Sequence, residues 1–78
     1  MPNTIYKGHL LIGVAEYNPE STCWVAKMNI SWPMGDDLRY HYIDGPANLF
    51  KTKEDAIFHG FMLAELWVDK NGSAAPPS

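Results

Sequence analysis

Alternating apolar and polar positions in the first half of the chain predict β-strands, most clearly over residues 22–32. One parity of this segment carries the bulky apolar side chains, so it should face a core. That parity consists of Trp24, Ala26, Met28, Ile30 and Trp32. The opposite parity, which includes Lys27 and Asn29, should face outward.

Residues 4–17 also alternate and predict one long first strand, in which Gly8 and Gly13 suggest a bulge or a bend. We expect one parity to face the core, namely Tyr6, Leu10, Ile12 and Val14. We expect the other parity to face outward, namely Ile5, Lys7, His9 and Leu11.

A third strand is predicted over residues 38–43, after a turn at residues 33–37. Leu38, Tyr40 and Tyr42 are expected to face the core, and Arg39 and His41 to face outward. Ile43 shares the outward parity although isoleucine prefers burial.

The second half of the chain predicts one helix. Thr52 is a suitable N-cap, and Asp55 follows at the spacing of an imperfect capping box. The helix should run to about Lys70, because Asn71-Gly72 is a typical C-terminal stop. Residues 73–78 hold two prolines and are expected to form a disordered tail.

The helix has apolar residues on two sides. One stripe is small, with Ala56, Gly60 and Ala64 four residues apart, which would let the helix approach a sheet closely. Phe58 and Met62 fall nearly opposite, with Leu66 nearby. One sheet face cannot cover both sides of a helix. The set Phe58, Met62 and Leu66 is therefore either a protein interface or covered by the tail or the first strand.

Together these elements predict an α+β fold with the order β-β-β-α. Its three-stranded antiparallel sheet packs on one C-terminal helix, in a single domain over residues 1–72. The small stripe of the helix should pack on one set of sheet residues. These are Leu10, Ile12, Trp24, Met28, Ile30 and Tyr42.

Composition narrows the class of protein. The 78 residues include ten aromatic residues and one cysteine, Cys23, which we expect to be a small, partly buried apolar residue. No stretch approaches the roughly 20 apolar residues of a membrane span. The N-terminal residues lack the features of a signal peptide, so we expect a cytoplasmic protein with no membrane partner.

Charge adds a second candidate surface. Six basic and nine acidic residues give a net charge of −3, which does not favour nucleic acid. The outward parities of the three strands nevertheless collect basic and polar side chains on one sheet face. These are Lys7, His9, Lys27, Asn29, Arg39 and His41. A basic sheet face can enter the major groove of a duplex.

The run from Phe50 to Ala56, FKTKEDA, is similar to the F-x-T-K-x-E-A start of the helix in the arm-binding domains of tyrosine recombinases. Trp24 is similar to a strand tryptophan of those domains. The order of elements also resembles plant AP2-type domains. The resemblance implies a sheet docked in the major groove, with Lys27, Asn29, Arg39 and His41 as candidate contacts. The same layout is similar to that of many small bacterial proteins, for which it implies no activity.

The side chains do not suggest catalysis or metal binding. The three histidines occur without HxxxH or HxH spacing, and there is no CxxC motif. No serine or cysteine has a recognisable base and orienting partner, and no glycine loop is suited to phosphate. We therefore expect a protein that is not an enzyme and needs no cofactor. The leading hypothesis is an interaction or regulatory module that uses Phe58, Met62 and Leu66 on a partner or on itself. The alternative is a nucleic-acid-binding domain.

Overall fold

A computed structural model describes residues 3–72, as one antiparallel sheet with one C-terminal helix. The elements are β1 (Asn3–Tyr6), β2 (His9–Asn18), β3 (Cys23–Met34), β4 (Asp37–Asp44), α1 (Lys53–Trp67) and a π-helical turn (Val68–Gly72). The α+β class is confirmed, but the three-strand prediction is wrong, because the sheet has four strands in the order β1-β2-β3-β4. The tail predicted over residues 73–78 lies outside the described residues.

The extra strand arises because the predicted first strand is a hairpin. Lys7 and Gly8 have φ angles of 49° and 79°, and Tyr6 pairs directly with His9. Two successive positive φ angles are the mark of a type I′ turn, whose twist suits a two-residue hairpin. Gly8 therefore marks a reversal of the chain rather than a bend within one strand.

This turn also sets the orientation of β2, and the predicted orientation is wrong. Residues directly opposite in an antiparallel pair share a face, so Tyr6 and His9 point to the same side of the sheet. Leu11, two residues on from His9, lies beneath the helix and is fully buried. The parity expected in the core points away from the helix instead. It comprises Leu10, Ile12 and Val14.

The orientation predicted for β4 is wrong for a similar reason. Met34 pairs with Asp37 across the two-residue turn Gly35-Asp36, in which Gly35 has a positive φ. This register places the odd-numbered residues of β4 beside the core residues of β3. Arg39, His41 and Ile43 consequently lie on the helix side. Leu38, Tyr40 and Tyr42 lie on the other side and are exposed.

The packing predicted between β3 and the small residues of the helix is confirmed. Met28 and Ile30 are buried beneath the helix, as are Ala56, Gly60 and Ala64 on α1. The approach is close, since a Cβ built on Gly60 would lie 2.8 Å from Met28 Sδ and 2.9 Å from Ala26 Cβ. Glycine at position 60 is thus required by the distance between helix and sheet.

Both ends of the helix are tied to the rest of the fold. Thr52 is the N-cap as predicted, and its hydroxyl accepts a hydrogen bond from the Asp55 amide at 3.2 Å. Just before the helix, Phe50 O accepts from the Trp24 amide at 2.8 Å. At the other end, Asp69 accepts a hydrogen bond from the Tyr6 hydroxyl at 3.0 Å. These contacts hold the helix across the sheet.

Candidate functional site

A row of large apolar side chains lies on the side of α1 that faces away from the sheet. Phe58, Met62 and Leu66 are 70%, 46% and 54% exposed, and we call them the helix stripe. They recur at intervals of four residues, so they lie above one another on a single helix face. The sequence placed them together, and the sheet leaves all three uncovered.

An apolar groove adjoins the helix stripe near the start of α1. It has a volume of about 380 Å³ and is lined by Lys53, Glu54, Ile57, Phe58 and Phe61. Phe61 is half-buried at the level of Gly13 on β2, where a built Cβ would lie 3.1 Å from its ring. The groove therefore lies along the β2 side of the helix.

The six residues predicted to form a basic sheet face do not share a face. Lys27 and Asn29 lie on the sheet side opposite the helix, as predicted for β3. Lys7 lies in the type I′ turn, and its Nζ donates to Asp69 Oδ1 at 2.7 Å. His9, Arg39 and His41 lie on the helix side. Their separation follows directly from the orientations of β2 and β4.

The two strand histidines belong to an aromatic cluster under the end of the helix. His9 is buried, its Nδ1 is 2.9 Å from the Lys7 carbonyl, and its ring centroid is 5.1 Å from that of Trp32. The His41 ring stacks on Trp67 at 4.3 Å between centroids. Trp32 and Trp67 are in contact at 5.3 Å and connect the two histidines. This arrangement packs the histidines into the fold.

A second uncovered surface is the side of the sheet opposite the helix, which we call the open face. Its apolar members are Ile5, Leu10, Ile12, Val14, Val25, Leu38, Tyr40 and Tyr42. Six of them are between 37% and 73% exposed. Sequence reasoning missed this surface because it assigned most of these residues to the core.

Two features of the sequence could have revealed the open face. Leu10, Leu11 and Ile12 are consecutive, so both sides of β2 are apolar and its alternation cannot decide which side is buried. The turns at Lys7-Gly8 and Gly35-Asp36 can decide it, because a two-residue turn fixes which residues lie opposite each other.

The middle of the open face contains an unsatisfied polar atom. Asn29 Oδ1 is buried and has no hydrogen-bond partner. Asn29 lies on an inner strand, opposite Ile12 on β2 and Tyr42 on β4. A shallow hollow of about 410 Å³ adjoins these three residues, and Lys27 and Asp44 also line it. A buried acceptor without a donor is costly, so the Asn29 side chain would gain from any rearrangement that gives Oδ1 a donor.

Charged groups at the ends of the fold form pairs. Hydrogen bonding to Lys7 and Tyr6 lowers the pKa of the Asp69 carboxyl, and the same contacts raise the pKa of Lys7 and of Tyr6. Lys27 Nζ lies 3.7 Å from Asp44 Oδ1 at the border of the open face. Both pairs are exposed to solvent.

Within residues 3–72, no three His, Cys, Asp or Glu side chains converge closely enough to hold a metal ion. Cys23 is buried more fully than the partial burial expected from the sequence. The candidate site is thus a pair of apolar surfaces, the helix stripe with its groove and the open face.

No protein-family model, no curated protein and no solved structure matches this chain. In the described part of the chain, neither helical segment has the length and apolar character needed to span a membrane.

Proposed function

We propose that the protein is a non-enzymatic interaction or regulatory module that binds a partner protein through the helix stripe. The exposure of Phe58, Met62 and Leu66 carries this proposal. Large apolar side chains that lie together on a surface are typical of protein interaction sites. The stripe spans about 12 Å at the rise of an α-helix, which is enough for contact with one partner element.

The partner element that fits best is an amphipathic helix. Side chains four residues apart form a ridge, and ridges pack into the grooves of another helix. The groove beside Phe58 can accept one large apolar side chain of the partner as an anchor. Such buried anchors supply most of the binding energy at protein interfaces. Lys53 and Glu54 at the rim can contact polar groups that flank the anchor.

Nucleic-acid binding is the alternative, and it rests on the resemblance to recombinase arm domains. The distribution of charge favours it less than the sequence suggested. Lys27 is the one basic residue among the described residues of the open face, and Asp44 lies beside it. Because affinity for nucleic acid depends largely on cation contacts to phosphate, we rank this function second.

The proposal can be tested by quantitative affinity capture followed by binding with purified components. The bait would be the wild-type chain, the double variant Phe58→Glu/Met62→Glu, and Tyr42→Glu as a matched control on the open face. We expect a protein that is retained by wild type and by the control but lost by the double variant. It should then bind the purified wild-type chain with the same selectivity. A partner set that is identical for all three baits would contradict the proposal.

A further inference from the structure

The open face is an uncovered surface that extends across all four strands of the sheet. Four strands spaced by about 4.8 Å, with about 3.3 Å per residue along each strand, make a face of roughly 400–500 Å². Two such faces in contact bury roughly 800–1,000 Å² in total, which is in the size range of weak, reversible interfaces. The open face is therefore large enough for a reversible dimer, and it is wider than the single row of the helix stripe.

We propose that the open face is a homodimer interface in which two copies of the chain pack sheet against sheet. This inference goes beyond the proposed function, because it concerns a different surface and does not depend on it. Two sheets can pack face to face at about 10 Å when their facing side chains interdigitate. The apolar side chains of the open face provide both halves of such a core.

The charges on the open face favour a second copy over nucleic acid. Its charged residues are Glu16, Lys27 and Asp44, all near one end of the face, and both signs are present. A polyanion would meet more negative than positive charge there. A second copy presents the same set of one cation and two carboxylates, so it brings a much smaller excess of negative charge than a polyanion does.

The exposed aromatic residues of β4 are also typical of a protein interface. Tyr40 and Tyr42 project from the open face with their rings parallel, at a 3° interplanar angle and 6.5 Å between centroids. Tyrosine is enriched in protein interfaces because its ring buries much apolar area while its hydroxyl keeps a polar partner. In the dimer these rings would cover the neighbouring sheet and exclude water from it.

Asn29 would determine how the two open faces align in the dimer. In a two-fold assembly, a residue near the axis meets its own copy. Asn29 lies near the middle of the open face, and its amide group carries two donors beside the unsatisfied acceptor Oδ1. Oδ1 is buried in the single chain, so the dimer would form this pair after a rotation of the Asn29 side chain that brings Oδ1 of one copy to the amide donors of the other. Pairing of this kind fixes one alignment of the two faces, as a buried asparagine does in coiled coils.

The dimer and the proposed function are compatible. The helix lies on the opposite side of the sheet from the open face, so both helix stripes would point outward from the dimer.

Sedimentation velocity over a concentration series up to the millimolar range tests the interface. The samples would be wild type, Tyr42→Lys, Asn29→Asp and, as the control on the helix stripe, Phe58→Lys. Tyr42 and Phe58 are exposed and Asn29 is half-buried, so circular dichroism would establish that each variant is folded. We expect wild type and Phe58→Lys to dimerise, and Tyr42→Lys to remain a monomer.

Asn29→Asp gives the sharper result because it changes charge and not size. Two carboxylates would meet near the two-fold axis, so dimerisation at neutral pH should weaken by more than about a hundredfold. Acidification that protonates the carboxylates should restore it. A wild-type chain that stays monomeric at every concentration would overturn the proposal. So would a dimer that Phe58→Lys abolishes and Tyr42→Lys leaves intact, whereas the affinity-capture experiment above decides the helix stripe separately.

Discussion

The two faces of the sheet are both apolar, yet only one is covered. On the helix side, Leu11, Met28 and Ile30 are at most 1% exposed. On the open face, large side chains of the same chemical class stand in solvent. The two faces differ in the size of the residues at their centres. Gly13 and Ala26 leave room for the helix, and the open face has no glycine or alanine at the corresponding centre.

The close approach of the helix, rather than hydrophobicity alone, determines which face of the sheet is buried. The helix brings its own small residue, Gly60, to the point where Ala26 and Met28 are nearest. Small residues from three elements thus lie around Met28, namely Gly13 on β2, Ala26 on β3 and Gly60 on α1. The hydrophobic effect then rewards burial of whichever large residues surround that contact.

Neighbouring leucines on opposite faces provide the strongest test. Leu11 is fully buried and Leu10 is 37% exposed. Leu11→Ala should lower the free energy of unfolding by about 2–5 kcal/mol, because it leaves a cavity under the helix. Leu10→Ala should cost about 1 kcal/mol or less in the monomer. Urea denaturation at low protein concentration measures both.

Concentration is the control in this pair. If the open face is the dimer interface, the cost of Leu10→Ala grows with protein concentration and the cost of Leu11→Ala does not. Equal costs for the two variants at low concentration would contradict the assignment of the two faces.

Gly60→Leu tests the close approach itself. A side chain at position 60 has to displace Ala26 and Met28, so the variant should be destabilised by about 1–3 kcal/mol or more. Met62→Leu is a control on the exposed side of the same helix, where leucine replaces a side chain of nearly the same volume and should be tolerated. Thermal unfolding of both variants gives the comparison. A Gly60→Leu variant as stable as wild type would mean that the helix and sheet have room to separate.

The sequence predicted the packing of the helix on β3. It did not predict which face of β2 and of β4 lies beneath the helix. Alternation identified the buried side of β3 because Lys27 and Asn29 mark the other side. The N-cap at Thr52 and the stripe of Ala56 and Ala64 were also identified, since both depend on local chemistry. β2 carries apolar residues at consecutive positions, so local chemistry leaves its orientation open. Only the pairing across the two-residue turns resolves it, and pairing is a property of two strands together.

The helix stripe shows a different limit. Its exposure follows from helical geometry and the single sheet, so the sequence predicts it. The predicted basic face required β1, β2 and β4 to be oriented correctly at the same time. One missed turn at Lys7-Gly8 moved both His9 and Leu10 to the wrong side. Surfaces that several strands form together are therefore much harder to predict than a surface on one helix.

Thr52→Ala is expected to have a smaller effect than the core variants. The substitution removes the acceptor of the Asp55 amide and should lower stability by about 1 kcal/mol. Thr52→Ser keeps the acceptor and serves as the control. Thermal unfolding that separates Ala from Ser at this position would support a capping role. The same face of the sheet should stay buried in both variants, because the cap affects the stability of the first helical turn and not the position of the helix on the sheet.

The smallest expected effect concerns the contact that joins the β1–β2 turn to the end of the helix. Tyr6 and Lys7 both donate to Asp69, and all three groups are exposed. Asp69→Asn should lower the melting temperature slightly at neutral pH. Because the folded state lowers the pKa of Asp69 below its ordinary value of 3.8, the stability that this carboxylate contributes is present above that value and is lost as the pH falls further.

At alkaline pH the stability from this contact depends on pH in the opposite direction, and it falls as the pH rises. The folded state raises the pKa of Tyr6 and of Lys7, so their contribution is complete below pH 10 and is lost as the pH rises beyond it. The difference in melting temperature between wild type and Asp69→Asn should therefore form a plateau that narrows at both extremes. Tyr6→Phe keeps the ring on the covered face and removes only the hydroxyl donor. It should reproduce part of the neutral-pH effect, and a variant identical to wild type would leave Lys7 as the partner that matters. A flat difference down to strongly acidic pH would show that the Asp69 carboxylate does not help to hold β1 against the helix.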